Sequence, residues 1–343
     1  MKALVLTSYN HLAYMEVPDP EIGSDDILVQ VKACGICGSD VHGLDGGTGR
    51  RVPPLIMGHE ASGLVARVGD RVTNWKIGDR VTFDSTIYCG RCYYCRRGLV
   101  NLCDNRRVLG VSCQEFRQDG AFAEYVSVPA RVVYRLPDEL SFERAALVEP
   151  FAVASHAVSL APVSPSASTL IAGAGVIGLS LLQVLRAAGS GGIIAVDLDR
   201  ERLELARRLG AEHTLRSDAP DLVSAVRGLG SGRGVDIAFE AVGVTPTVQI
   251  AVGCLRKGGS LVLVGNLSPT VELPLQEVVT REITLYGSCV SRGEYPDCLA
   301  MMARGQLDPD PMISAVAPLS EGAAWFERLR NREPGLVKVV LTP

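Results

Sequence analysis

The 343-residue sequence predicts an α/β protein in two parts, a mostly-β region followed by a parallel sheet covered on both faces by helices. Short strand-like runs punctuated by glycine turns fill roughly the first 150 residues. After about residue 152, short apolar runs alternate with helical segments, the pattern of a sheet with crossover helices. The chain is also more than twice a usual domain in length, and 47% hydrophobic against 21% charged residues can fill a substantial core.

In chain order, 1–7 reads as a first strand and is too short for a signal-peptide core. Strands follow at 27–33, 61–68 and 79–83, set off by Gly23-Ser24, Gly69-Asp70 and Gly78-Asp79. Past 152, strands at 168–172, 193–196, 235–240, 260–264 and 283–285 alternate with helices at 176–188, 201–209, 221–229 and 248–255. The tail holds predicted helices at 295–304 and 320–330 and a closing strand at 336–341. The longest nearly apolar run, 170–179, contains Gly173, Gly175 and Gly178 and falls short of the ~20 residues of a membrane helix. A net charge of −4 with no basic block argues against broad binding to nucleic acid or an anionic bilayer. A soluble, cytoplasmic protein is expected.

Cys89, Cys92, Cys95 and Cys103 lie close together, with Gly90 and Gly98 available for tight turns. Such gaps suit thiolates wrapping a tetrahedral ion, and a chain of this size needs no disulfide framework. Structural zinc is the favoured reading. An iron–sulfur cluster is its rival, because Cys-x-x-Cys-x-x-Cys occurs there too. Four sulfurs would close the coordination sphere, so this site would staple the fold and do no chemistry.

Cys37, Ser39, Asp40, His42, His59 and Glu60 form a second polar group, in the β region. Cys37 and His59 make a plausible ligand pair for zinc, and Glu60 could complete a set of three with one position open. The alternative is ordinary: a satisfied histidine beside a cysteine acting as a small buried hydrophobe. Both readings stand on these residues alone.

Gly173-Ala174-Gly175-Val176-Ile177-Gly178 follows a predicted strand and opens a predicted helix. This is the dinucleotide fingerprint: a tight turn, close approach of backbone to a pyrophosphate, and close packing of helix on strand. The phosphates would sit on free N–H groups at the helix start. Asp197 ends the next strand, where a carboxylate can accept both ribose hydroxyls and repel a 2′-phosphate, so NAD is favoured over NADP. Arg202 lies just beyond and is a candidate to lie along the adenosine.

Together these motifs resemble the zinc-containing medium-chain dehydrogenases/reductases, in the sorbitol (polyol) and threonine dehydrogenase branch. The resemblance spans essentially the whole chain. It rests on Cys34-Gly35-Ile36-Cys37-Gly38-Ser39-Asp40-Val41-His42, on Gly58-His59-Glu60-Ala61-Ser62-Gly63, on the four-cysteine lobe, on Glu149-Pro150 and on the glycine fingerprint, in that order. It implies a GroES-like catalytic domain (1–152 and 288–343, with a zinc lobe at 84–104) and a Rossmann NAD-binding domain at 153–287. It also implies two zinc ions per chain, NAD as cofactor, and a homodimer or homotetramer. Cys37 and His59 are similar to the catalytic zinc ligands, with Glu60 and Glu149 as the acidic residues that bind the metal or stand behind it. Ser39 matches the hydroxyl that bonds the substrate alcohol, and His42 the outer end of its proton relay. The implied reaction is hydride transfer from a secondary alcohol of a polyol or sugar-derived substrate to NAD. Galactitol-1-phosphate-type and L-threonine dehydrogenases are the alternatives within the family, and a non-catalytic, crystallin-like member is the alternative outside enzymology. Val290 stands where polyol dehydrogenases carry a substrate-binding arginine, so D-sorbitol itself is disfavoured.

Overall fold

The computed structural model describes residues 1–112, 117–230 and 232–343. These divide into two compact units. One comprises Met1–Ala152, Ser291–Gly305 and Pro309–Pro343; the other comprises Val153–Val290 and Gln306–Asp308.

The first unit is organised on the strand Asp26–Gly35. Ile27, Val29, Val31 and Ala33 alternate along it and are buried, which puts one face on the core. It pairs antiparallel with Glu60–Val68 and with Tyr125–Pro129, and at its end with Lys338–Thr342. The alternation stops at Cys34, beyond which Gly35 and Ile36 are also buried; here the strand stops covering a core and begins to line a site. Lys338–Thr342 continues the sheet into Ile313–Pro318, which runs parallel to it. That last strand went unpredicted, because only Ala317 of its residues is buried and no apolar alternation marks it. A smaller sheet places Lys2–Ser8 between His11–Glu16 and Leu55–Ile56. Phe122 and Phe326 pack edge to face in the core below, with ring centroids 5.7 Å apart.

The helix Val148–Ser159 also went unpredicted. Its run Val-Glu-Pro-Phe-Ala-Val-Ala-Ser-His-Ala-Val-Ser is apolar on nearly every side and so lacks the one-sided stripe that signals a surface helix. Pro150 does not break it, since a first-turn residue has no intrahelical N–H bond to lose.

The second unit is a six-stranded, wholly parallel sheet. Its spatial order is His213–Arg216, Ile193–Asp197, Thr169–Ala172, Val235–Glu240, Leu255–Leu263, Thr284–Gly287. Chain order reverses beside Thr169–Ala172, which is the doubly wound topology with its switch point next to the glycine turn. The helix expected at 248–255 begins earlier and runs Thr245–Cys254, because Pro246 is well placed in a first turn. Leu255 already belongs to the following strand. Among the described residues, no helix is long and apolar enough to cross a membrane.

One polar group buried in the first unit carries a stability consequence. Asp84 is 3% exposed and accepts hydrogen bonds from Thr86 N at 2.8 Å and Ser291 Oγ at 3.2 Å. Tyr134 and Tyr295 stack nearby at 5.0 Å. Burial pushes the Asp84 carboxyl up to about 7 against those two bonds, with Glu294 adding to the rise. The folded chain therefore holds this proton to near neutral pH, whereas an unfolded aspartate loses it near ~3.9. The group's contribution to stability is present at low pH and is lost as pH rises through about 7. Asp84→Asn keeps the shape without the ionisation, so its melting temperature relative to the parent should rise steadily from pH 5 to pH 8. A constant difference across that range would show that Asp84 is already ionised in the fold at pH 5, as in the unfolded chain.

Candidate active site

Cys37 is delivered by the end of the strand Asp26–Gly35 and immediately begins the helix Gly38–Gly43, whose first turn its sulfur caps. Ser39 N donates to Cys37 Sγ at 3.4 Å and Ser39 Oγ donates to it at 3.3 Å. The neighbouring strand Glu60–Val68 runs antiparallel, with Glu60 opposite Gly35, so His59 and Glu60 arrive beside Cys37. One ligand atom from each of Cys37, His59 and Glu60 lies within 4.8 Å of the others. Glu149, buried at 9% exposure, is outside that trio.

Two cations that the motif reading did not anticipate balance the carboxylates. Asp40 is wholly buried, and its Oδ1 accepts from Arg51 Nη2 at 2.8 Å and Nε at 3.3 Å. The same oxygen lies 3.5 Å from His59 Nδ1. Lys338 Nζ donates to both oxygens of Glu60, at 2.8 and 2.6 Å, and to Ile36 O at 2.9 Å. Glu60 and Lys338 are each 1% exposed. The sequence signal for Lys338 was present though unread: a lone charge set against Val337, Val339 and Val340.

Burial and charge pull the titratable groups of the pocket in opposite directions. Burial opposes the His59 imidazolium, yet Asp40 and Cys37 outweigh it and hold the pKa well above the ordinary histidine value. Burial pushes the Glu149 carboxyl up to about 7; Glu60 adds to the rise, while His59 and Lys338 oppose it. His59 Nδ1 and Asp40 Oδ2 are buried without a hydrogen-bond partner. A thiol, an imidazole and a carboxylate converging at one place match the donor set of a zinc site with an open position. Ser39 lies exposed beside this trio. His42 is exposed three residues further along the same short helix, and among the described residues no hydrogen bond joins it to Ser39.

The sulfurs of Cys89, Cys92, Cys95 and Cys103 also lie within 4.8 Å of one another, all as free cysteines. Backbone N–H groups point at sulfur: Cys89 N to Cys103 at 3.2 Å, Asn105 N to Cys103 at 3.3 Å and Cys95 N to Cys92 at 3.5 Å. Donors aimed at sulfur favour thiolates, the form a metal needs.

In the second unit, the turn Gly173–Gly178 is closed by contacts that only glycine permits. Gly173 has φ +102, and a Cβ on Gly178 would sit 1.8 Å from Gly173 O. Val176 and Ile177 begin the helix Val176–Ala187 and are only partly buried. Asp197 Oδ2 accepts from Ala174 N at 2.6 Å and Oδ1 accepts from Asp199 N at 2.9 Å, which fixes the carboxylate against the turn. Space in front of Gly175 is open; the nearest atom to a Cβ there would be Arg202 Nη1, at 3.9 Å. Free N–H groups at a helix start with a carboxylate beside them are what a dinucleotide requires.

Two family models match the chain: "Alcohol dehydrogenase GroES-like domain" over residues 23–138 and "Zinc-binding dehydrogenase" over residues 176–304. Sorbitol dehydrogenase of Bacillus subtilis (strain 168) is 35% identical, covering 100% of this chain and 97% of that protein. D-arabitol-phosphate dehydrogenase of Enterococcus avium is 34% identical, covering 97% of this chain and 94% of that one. A protein from Sinorhizobium meliloti 1021, solved with NADP bound, is 36% identical with a TM-score of 0.90, covering 100% of this chain and 99% of its own.

The buried Lys338–Glu60 pair offers a direct test of whether Glu60 faces a metal. Lys338→Met leaves a carboxylate buried without its cation, which costs about 3–5 kcal/mol in the metal-free protein. Bound zinc would meet that charge instead. The fall in melting temperature on adding a chelator should therefore be larger for Lys338→Met than for the parent. Equal falls would show that Glu60 does not face the metal.

Proposed function

The chain belongs to the zinc-type medium-chain dehydrogenases/reductases related to sorbitol and other polyol and sugar dehydrogenases, and on that premise we propose that it oxidises a secondary hydroxyl of a polyol or sugar-derived alcohol to the ketone, with NAD as the hydride acceptor. The protein is a zinc- and NAD-linked oxidoreductase for an alcohol- or polyol-type substrate. The observation that carries the finer reading is the convergence of Cys37, His59 and Glu60 with the exposed hydroxyl of Ser39, 3.3 Å from Cys37 Sγ.

In this reading Cys37, His59 and Glu60 hold the catalytic zinc, with Glu149 as an alternative acidic ligand, and Cys89, Cys92, Cys95 and Cys103 hold the structural one. When bound, the catalytic zinc supplies a Lewis acid for an alcohol oxygen and the nicotinamide supplies a hydride acceptor. Ser39 Oγ receives the hydrogen bond of the substrate hydroxyl and directs its proton away from the metal. His42, one turn along the same helix, takes that proton through a bridging water. Glu149, its carboxyl pushed up to about 7 by burial, spends part of its time protonated near neutral pH and can then bond a substrate hydroxyl without adding a second full charge. On the cofactor side Gly173, Gly175, Val176, Ile177 and Gly178 seat the pyrophosphate, Asp197 binds the ribose hydroxyls, and Arg202 lies along the adenosine.

A phosphorylated polyol is a second reading. It is favoured by the similarity to D-arabitol-phosphate dehydrogenase and by Arg292, which is exposed just after Val290. Initial rates of NAD reduction over four- to six-carbon polyols, their phosphates, 2,3-butanediol and L-threonine decide between them. A polyol should lead, D-sorbitol should not be the best, and simple aliphatic alcohols should be poor. A phosphate ester in first place selects the second reading, and L-threonine ahead of every polyol refutes both.

Cofactor choice is tested separately. Asp197 should give NAD at least about a tenfold advantage in kcat/KM over NADP, or ~1.4 kcal/mol. Asp197→Ser should erode that advantage mainly by raising the KM for NAD. Equal use of both cofactors by the parent would remove Asp197 from the ribose site.

A further inference from the structure

We propose that Arg51 is a positioning residue for the reaction, presetting the Ser39 hydroxyl and tying it to the histidine of the metal trio through Asp40. The inference rests on the reading of Ser39 as the group that bonds the substrate alcohol.

Arg51 is 2% exposed, uncommon for a side chain with five donors. Its Nη2 donates to Asp40 Oδ1 at 2.8 Å and to Ser39 Oγ at 3.1 Å, so one nitrogen spans a carboxylate and a hydroxyl. Asp40 Oδ1 in turn lies 3.5 Å from His59 Nδ1. Hydrogen bonds connect Ser39, Arg51 and Asp40, and charge proximity extends the path to His59. The helix Gly38–Gly43 makes room for it: a Cβ on Gly43 would stand 2.4 Å from Arg51 Cγ. That close approach is independent of the hydrogen bonds and shows that the local backbone is fitted around the arginine stem.

The chemistry follows from what an arginine cannot do. Its guanidinium stays charged and cannot accept a proton, so Arg51 is no member of a relay. By donating to Ser39 Oγ it occupies one lone pair, leaving the other to receive the substrate hydroxyl and the serine hydrogen free to point elsewhere, at present to Cys37 Sγ. The contact to Ser39 Oγ is already in place before any substrate arrives, so it needs no reorganisation during the reaction. A lysine could keep the charge but not the planar fork.

The test is a double-mutant cycle between Arg51→Lys and Ser39→Ala, scored by kcat with the best alcohol from the substrate screen, alongside zinc content and the KM for NAD. Arg51→Lys should lower kcat at least about tenfold, with zinc content and the KM for NAD close to the parent's. In the Ser39→Ala background it should change kcat by less than about twofold, because contacting groups that act as a unit are not additive. Gly43→Ala, which displaces Arg51 without touching its charge, should behave in the same way, and it carries the cycle alone should Arg51→Lys lose zinc or fail to fold. With cobalt exchanged into the Cys37 site, Arg51→Lys should move the sulfur-to-metal charge-transfer band toward that of Ser39→Ala. A full and equal loss in both backgrounds, or no loss in either, overturns the role of Arg51 while leaving Ser39 in place. Parental activity in Ser39→Ala alone overturns the Ser39 reading, and this inference with it.

Discussion

Asp40 and Glu60 put two carboxylates into an interior made chiefly of Val, Leu and Ala, and each is met by a buried side-chain cation, Arg51 for the one and Lys338 for the other. Isolated charges at such depth would be prohibitive, so this pairing constrains everything around it. It obliges Lys338–Thr342 to lie beside Asp26–Gly35, and it obliges the segment carrying Arg51 to fold back over the helix Gly38–Gly43. The ligand trio then sits at the rim of a charge-balanced core with Ser39 facing outward. The geometry of the metal pocket is therefore a by-product of satisfying these charges as much as of the ligands themselves.

The cofactor unit obeys a different constraint, steric rather than electrostatic. Its glycine turn lets Gly178 pack on Gly173 with no room for a methyl group, which brings the start of the helix Val176–Ala187 down onto the switch point of the sheet. Asp197 then closes the turn by accepting from Ala174 N. One carboxylate oxygen is thus committed to the backbone, so the residue expected to read the ribose is also part of what holds the turn in shape.

How much of this could be read beforehand follows from how local each signal is. The glycine turn, the four-cysteine lobe and the Cys37, His59 and Glu60 set are short-range patterns in which the chemistry requires particular residue types at close spacing, and all were visible in the sequence. Lys338 is 278 residues from Glu60, and no spacing rule links them. Arg51 stands beside Arg50 in a loop, and no spacing rule links it to the Asp40 and Ser39 that its fork meets. The helix Val148–Ser159 and the strand Ile313–Pro318 escaped for opposite reasons, the first being apolar on nearly every side and the second having only one buried residue and no apolar alternation. In both, tertiary packing decided what local periodicity could not.

The separation of Glu60 from Lys338 also has a temporal meaning. Glu60 leaves the ribosome 278 residues before its counter-ion; at ~5–20 residues per second that is roughly 15–60 s. The whole of Val153–Val290 is made in the interval and, being continuous in sequence, can fold as a unit while the first unit still lacks its C-terminal strand. Until Lys338 arrives, Glu60 lacks the ammonium that meets its charge in the finished fold. The nascent chain thus carries the Cys37, His59 and Glu60 trio early and gains the counter-ion beside it late.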